Sequence, residues 1–313
     1  MRALIDAIQA TDNPSVVGLD PKPTLIPDAL LHEVHTVEEL AEVYYAFNCA
    51  IIDAVHDIVP AVKPQIAMYE ALGPAGISVY VRTNEYAHSR GLYVLGDIKR
   101  GDIGSTAAAY AAHLEGTPQI DSVKTVDVWH EDAVTVNPYL GSDGIKPFID
   151  AAQTTDKDIF VLVKTSNPSS CELQDLCVDS TDETVATHVA QLVEQWGQDS
   201  RDSQYGYSRV GAVVGATHRV LGAQLRQAMP HTFFLVPGYG AQGGTAADLA
   251  GLFDSQGLGA LINSSRGIIG AWARSPQADA LTSPHDALAC VADCSRQAAL
   301  AMKADIASVR SHS

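Results

Sequence analysis

The stretch GLYVLGDIKRGDIGSTAAAYAAHLEG (residues 91–116) decides the fold. Its first part, GLYVLGDIK (91–99), is a short apolar run rich in Val, Leu and Ile, the texture of a strand covered on both faces. A polar turn follows, and STAAAYAAHLEG (105–116) then reads as a helix. The same texture recurs along the chain. Further strands are expected at 15–20 (SVVGLD), 61–67 (AVKPQIA), 132–137 (DAVTVN), 158–165 (DIFVLVKT), 209–216 (RVGAVVGA), 232–238 (TFFLVPG) and 259–264 (GALINS). Helices are expected at 37–58, 181–197, 222–230 and 285–309. Eight such units in order predict an α/β protein, a (β/α)8 TIM barrel in a single domain spanning 1–313. That fold typically needs about 250 residues. The surplus falls in polar, Pro- or Asp-rich insertions at 21–36, 117–131, 168–180 and 198–208. An open doubly wound sheet is the alternative, since counting strands does not establish closure.

Composition narrows the function. Twenty Lys and Arg stand against 37 Asp and Glu, a formal charge of −17, which argues against gripping DNA, RNA or an anionic membrane. No apolar stretch approaches the roughly 18 residues of a membrane span, and the N-terminal sequence MRALIDAIQATDNP lacks the unbroken apolar segment of a signal peptide. The five cysteines form no CxxC pair and read as reduced thiols of a cytoplasmic protein. The eleven histidines show no HxH or HExxH spacing, so no metal site is expected.

Chemistry in a barrel gathers where the strands end. Here those tails are polar: Asp20, Lys63, Asp97 through Asp102, Asn137, Lys164 through Asn167, Pro237 through Gly244, and Asn263 through Gly267. The last two segments have the character of a phosphate site. Glycines such as Gly240 and Gly243 let backbone N–H groups approach an anion, Gln242 adds a side-chain donor, and Arg266 can pair with phosphate oxygens bidentately. The glycines could equally make tight turns, but two such loops on the last two strands, one ending in Arg, favour phosphate. The segment Asp97-x-Lys99-x-x-Asp102 is sharper. Alternation along a strand points Asp97 and Lys99 to the same side, and Asp102 follows in the turn. A Lys held between carboxylates keeps its proton and can deliver it. Lys63 on the neighbouring strand can extend this to an alternating Lys, Asp, Lys, Asp network.

These residues resemble the orotidine 5′-phosphate decarboxylase family. The resemblance rests on VKPQIAMYEALG (62–73), GDIKRGDIGSTAAAYA (96–111), VNPYLGSDGIKPF (136–148), VLVKTSNPSS (161–170), VPGYGAQGG (236–244) and Ser265-Arg266-Gly267. KPQxAxYE and NPYLG are similar to the longer bacterial branch. The resemblance implies decarboxylation of orotidine 5′-phosphate to UMP and CO2, the last step of de novo pyrimidine synthesis. It also implies a lyase with no cofactor or metal, and a homodimer whose active sites are shared across the interface. By motif, Asp20 and Lys63 match ribose-hydroxyl ligands, and Asp97 and Lys99 the central charged pair, with Lys99 protonating C6. Asp102 matches the carboxylate given to the partner subunit, and Thr106 a ribose or base contact from the same segment. Ser166 matches the hydroxyl that reads the pyrimidine, while Gln242 and Arg266, with the Gly240 and Gly243 backbone, match the phosphate grip. Asn137, Tyr139 and Asp143 would shape the pocket. Ser265 departs from the family pattern, in which glycine is common.

The nearest rival is a Mg2+-dependent sugar-phosphate decarboxylase or aldolase of the same barrel group. It would need an acidic metal ligand near the end of the second strand, where this chain has Lys63. A Schiff-base aldolase using Lys99, Lys63 or Lys164 needs a neutral Lys, which flanking carboxylates oppose. A non-catalytic nucleotide-phosphate sensor is a third possibility, disfavoured by the full DxKxxD set. His218 reads as a helix-start residue, and Trp129, Trp196 and Trp272 as packing.

Overall fold

The computed structural model describes residues 1–117, 125–178, 183–240 and 243–310. Eight parallel strands close into a barrel in chain order: β1 Ser15–Leu19, β2 Ala61–Pro64, β3 Tyr93–Arg100, β4 Ala133–Val136, β5 Asp158–Lys164, β6 Val210–Val214, β7 Phe234–Val236 and β8 Ala260–Ser264. β8 returns to β1 with Val16 opposite Asn263, so the open-sheet alternative is set aside. Seven of the strands fall inside the intervals expected from the sequence, and β3 runs one residue beyond its interval, to Arg100.

Each strand is buried on both sides, and alternation sorts its residues into two cores. Val17, Leu19, Val62, Val94, Val134, Val161, Ala212, Phe234 and Ile262 belong to the larger core, between the sheet and the helices. Val16, Ala61, Tyr93, Leu95, Ala133, Phe160, Leu235 and Leu261 belong to the second core, which fills the barrel. The inward parity continues up the strands to Gly18, Lys63, Asp97, Thr135 and Asn263, where apolar filling gives way to polar groups.

The helices are α1 Arg2–Thr11, α2 Val37–Val55, α3 Ile66–Glu70, α4 Gly73–Ser89, α5 Gly104–Glu115, α6 Ser142–Thr155, α7 Cys171–Gln174, α8 Val185–Gly197, α9 Arg219–Ala228, α10 Arg266–Ile269 and α11 Pro284–Arg310. A capping box starts α2: the Thr36 hydroxyl accepts from Glu39 N–H at 3.1 Å and Glu39 Oε2 accepts from Thr36 N–H at 2.9 Å. Among the helices that fill intervals without a named helix in the sequence expectation are α1, α3, α4 and α6. α1 buries Leu4, Ile5 and Ile8 in the barrel core, plugging the end opposite the polar tails. α4 opens on Gly-Pro, and α6 carries Pro147, so both resemble loops when read locally. Two further departures concern boundaries. β2 stops at Pro64, short of 67, because Gln65 caps α3, its side chain accepting from Ala67 N–H at 3.4 Å. The interval between β7 and β8 holds two 3-10 turns, Ala246–Asp248 and Ala250–Leu252, in place of an α-helix. Among the described residues, no helix is long and apolar enough to cross a membrane.

Candidate active site

Asp97 is the hub of the site. It is 7% exposed, at the top of the barrel lumen. Its Oδ2 accepts from Lys63 Nζ at 2.7 Å and from Gln65 Nε2 at 2.8 Å; its Oδ1 accepts from Lys99 Nζ at 2.5 Å and from the Thr135 hydroxyl at 2.9 Å. Four donors from three strands and the β2 tail therefore fix one carboxylate. Burial alone would raise the Asp97 carboxyl, but the Lys63 and Lys99 ammonium groups outweigh it and hold Asp97 well below the usual carboxylate range. Burial likewise acts to lower Lys63, yet the charges of Asp97 and then Asp20 leave it raised. The array is thus Lys63, Asp97 and Lys99 joined in a row, with Asp20 acting on Lys63 through its charge.

The route by which Asp97 and Lys99 meet differs from simple alternation. The β3–β4 pairing shifts register between Gly96 and Arg100, and Lys99 sits at φ +48°, in the left-handed region that side chains other than glycine rarely adopt. Its N–H is caught by the Thr135 hydroxyl at 3.0 Å. A bulge held by Thr135 therefore aims Lys99, and left-handed backbone at a non-glycine residue is the kind of local cost found at functional sites. Lys99 is the half-open member of the array, its side chain 46% exposed. On the other side of β3, buried Glu131 takes the Tyr80 hydroxyl and shares a 2.7 Å hydrogen bond with His113 Nδ1. Gly96 is glycine because a Cβ there would lie 2.1 Å from Glu131 Oε1, so the residue before Asp97 is braced from outside the barrel.

A second group lies beside this array. Asp20, Lys22, Gly238, Tyr239, Asn263, Ser265 and Arg266 line a cavity of about 160 Å³ over the ends of β1, β7 and β8. Ser265 Oγ donates to Asp20 Oδ2 at 2.6 Å. Gly240 and Gly243 have φ +71° and +94°, and a Cβ built on either would meet nothing within 4 Å; their N–H groups donate to the carbonyls of Gly244 at 2.8 Å and Gly240 at 2.9 Å. Larger hollows lie elsewhere, among them one of about 820 Å³ at the opposite barrel end around Asp6 and Arg209, and one of about 670 Å³ between α2 and α4 around Glu38 and Ser78. Neither touches the charged array. The chemistry of the lining, more than the volume, picks out the strand ends.

Most expected residues converge. Lys63, Asp97 and Lys99 form one array, with Asp20 contributing to the field at Lys63; Asp20 and Arg266 share the cavity. Ser166 is half-buried above β5, its backbone 2.9 Å from where a Cβ on Gly215 would stand. Asp102 and Thr106 stay outside the array: Asp102 Oδ1 accepts from Ile103 N–H at 2.7 Å, and Thr106 is exposed on α5. Gln242 lies outside the described residues. Lys164 is buried and bonded to Asp175 at 2.6 Å, apart from the array. Gln65, Thr135, Lys22 and the bond from Ser265 to Asp20 belong to the site but were not anticipated. Only Gln65, two residues past Lys63 in the KPQ motif, and Lys22, two residues past Asp20, left a local signal. Among the described residues, no group of three or more His, Cys, Asp or Glu is placed to hold a metal ion.

The sequence model of the Orotidine 5′-phosphate decarboxylase / HUMPS family matches residues 15–281. An orotidine 5′-phosphate decarboxylase of Rhodopirellula baltica is 46% identical over 265 residues, covering 84% of this chain and 85% of the relative. One from Petrotoga mobilis is 40% identical, covering 94% of this chain and 93% of the relative. Among solved structures, Leishmania donovani OMP decarboxylase superposes with a TM-score of 0.73 at 29% identity, over 100% of this chain and 98% of that one.

Proposed function

The chain belongs to the orotidine 5′-phosphate decarboxylase / HUMPS family and decarboxylates orotidine 5′-phosphate, and we propose that Lys99 is the acid that protonates C6 as CO2 leaves. The observation that carries this reading is the buried carboxylate of Asp97 held between two ammonium groups, one of them half-open. When the C6–CO2 bond breaks, its electron pair stays on C6 in an orbital that the pyrimidine ring does not delocalise. A fixed ammonium beside C6 stabilises that localised charge as it develops, without reorganisation at the moment of reaction. The Lys99 N–H bond then breaks, a C6–H bond forms, and Lys99 recovers a proton from solvent. Asp97 orients the ammonium, while Gln65 and Thr135 keep Asp97 from rotating. No metal or organic cofactor takes part.

Asp20 and Lys63 bind the ribose hydroxyls, Ser166 reads the pyrimidine, and Arg266 and Gln242, with the Gly240 and Gly243 backbone, grip the phosphate. The phosphate is remote from C6, so its binding energy serves to order the site around the reacting carbon and raises turnover as well as affinity. The enzyme is a cytoplasmic homodimer of one-domain chains, in which Asp102 and Thr106 complete the partner's site. Asp102 and Thr106 both lie off the array of their own chain, and Asp102 is followed by exposed Ile103, while the 136–148 loop packed against this segment exposes Tyr139 and Leu140, which supports that exchange. Gly101 and Gly144 pack against Asn137 and the Asp102 carbonyl, so the 136–148 loop is the brace of this segment.

A Mg2+-dependent sugar-phosphate enzyme would need an acidic ligand where β2 carries buried Lys63. Turnover of orotidine 5′-phosphate in EDTA, followed by the fall in pyrimidine absorbance, tests the cofactor-free reading. Undiminished activity is expected, and loss of activity that Mg2+ restores would overturn it.

A further inference from the structure

Asp20, at the end of β1, and Ser265, after β8, come from distant parts of the chain and meet at the seam where the barrel closes. A carboxylate only accepts, so the 2.6 Å contact is a donation from the Ser265 hydroxyl to Asp20 Oδ2. Gly18 makes room for it. A Cβ at that position would stand 1.9 Å from Ser265 Oγ and 2.9 Å from Ser265 Cβ, and since Gly18 does not have a positive φ, the glycine is required there by space. The second oxygen of Asp20, Oδ1, is buried and has no hydrogen-bond partner among the described residues. A buried acceptor left unsatisfied is costly, and a hydroxyl donated by a ligand relieves that cost. The Ser265 carbonyl meanwhile accepts from the N–H groups of Ile268 and Ile269 at 2.9 and 3.0 Å, seating α10, whose first residue is Arg266. Asp20, Ser265 and Arg266 all face the same cavity.

We propose that Ser265 is a positioning residue for sugar recognition: it occupies one oxygen of Asp20 so that the other stands fixed to accept a ribose hydroxyl. Through its carbonyl the same residue joins this sugar-binding carboxylate to the segment that carries the phosphate-binding Arg266. The proposal rests on the reading of Asp20 as a ribose ligand. It gives the Ser265 hydroxyl a physical role, and it explains why Gly18 accompanies it.

The test is binding of UMP, 2′-deoxy-UMP and 3′-deoxy-UMP by calorimetry to the wild type, Ser265→Ala, Asp20→Ala and the double variant. Ser265→Ala removes one oxygen and no packing volume around it. Wild type is expected to prefer UMP over at least one deoxynucleotide, and Ser265→Ala to cut that preference by about fivefold. In the Asp20→Ala background, the serine substitution is expected to change the preference no further. Equal losses for all three nucleotides would show that Ser265 acts only through α10 and the phosphate, which overturns the proposal. A wild type with no preference, or an Asp20→Ala variant that keeps it, removes Asp20 from the ribose. That result overturns the assignment of Asp20 and the proposal with it, and is distinguishable from failure of the Ser265 step alone.

Discussion

Lys63 and Asp97, 34 residues apart and on adjacent strands, are joined by a 2.7 Å ion pair almost sealed from solvent, their side chains 5% and 9% exposed. Two charges so placed depend on each other. Removing one partner of a buried pair typically costs about 3–5 kcal/mol, because the other is left charged and unpaired. The site is therefore also part of what holds the upper barrel together.

This dependence has a pH signature with a defined sign. Burial pushes the Asp97 carboxyl up, but Lys63 and Lys99 outweigh it, so its folded value lies well below the unfolded one of about 3.9. A carboxylate lowered on folding stabilises the native state above its unfolded value, and that contribution is lost as pH falls toward the folded value. Urea unfolding of wild type and Asp97→Asn is expected to show a stability gap that is constant near neutrality and narrows below about pH 4. A gap unchanged down to pH 3 would contradict it.

Arg266→Ala is expected to weaken UMP binding by about a hundredfold, the loss of a bidentate charge-assisted contact. Uridine, which lacks the phosphate, should bind the variant and the wild type alike. Calorimetry with both ligands decides this, and an unchanged UMP affinity would remove Arg266 from the phosphate.

Mixing Lys99→Ala chains with Asp102→Ala chains, each inactive alone, is expected to restore activity. One of the two sites in a hybrid dimer then carries both intact groups, so the restored rate should approach about a quarter of wild type at equal mixing, in line with statistical pairing of subunits in a symmetric dimer. No recovery despite proven subunit exchange would mean that Asp102 serves its own chain.

The cysteines offer an independent check on packing. Burial pushes the Cys49 thiol up to about 11, whereas Cys171 and Cys177 are exposed. Since only the thiolate reacts, iodoacetamide at pH 8 is expected to modify Cys171 and Cys177 about a hundredfold faster than Cys49, read by mass spectrometry. Equal rates would contradict the burial of Cys49 against Tyr45.

Much of the site was legible because strand tails are short, and the residues that face the barrel mouth are polar where the rest of the strand is apolar. Asp20, Lys63, Asp97, Lys99 and Arg266 stand out on that contrast alone. What escaped depends on relationships between strands. Thr135 reaches Asp97 and the Lys99 N–H through a register shift between β3 and β4, and an apolar-looking AVTV strand gives no hint of it. Ser265 meets Asp20 only because β8 closes on β1 and Gly18 leaves a gap. Among the helices, α1 escaped because its apolar positions serve a barrel floor that exists only once the sheet has closed. For α4 and α6 the reason is local: their Gly-Pro start and internal Pro147 are turn signals that tertiary packing overrides.

The most direct test of the central claim is the rate of orotidine 5′-phosphate decarboxylation by Lys99→Ala beside wild type, with EDTA in both assays and UMP binding measured on both proteins. Wild type is expected to turn over fully, and Lys99→Ala to bind UMP measurably while losing at least about a thousandfold in kcat, the combined scale of a missing proton donor and a missing charge at C6. Near-normal turnover by Lys99→Ala would contradict the claim that this ammonium, fixed by Asp97, is what makes the carbanion attainable.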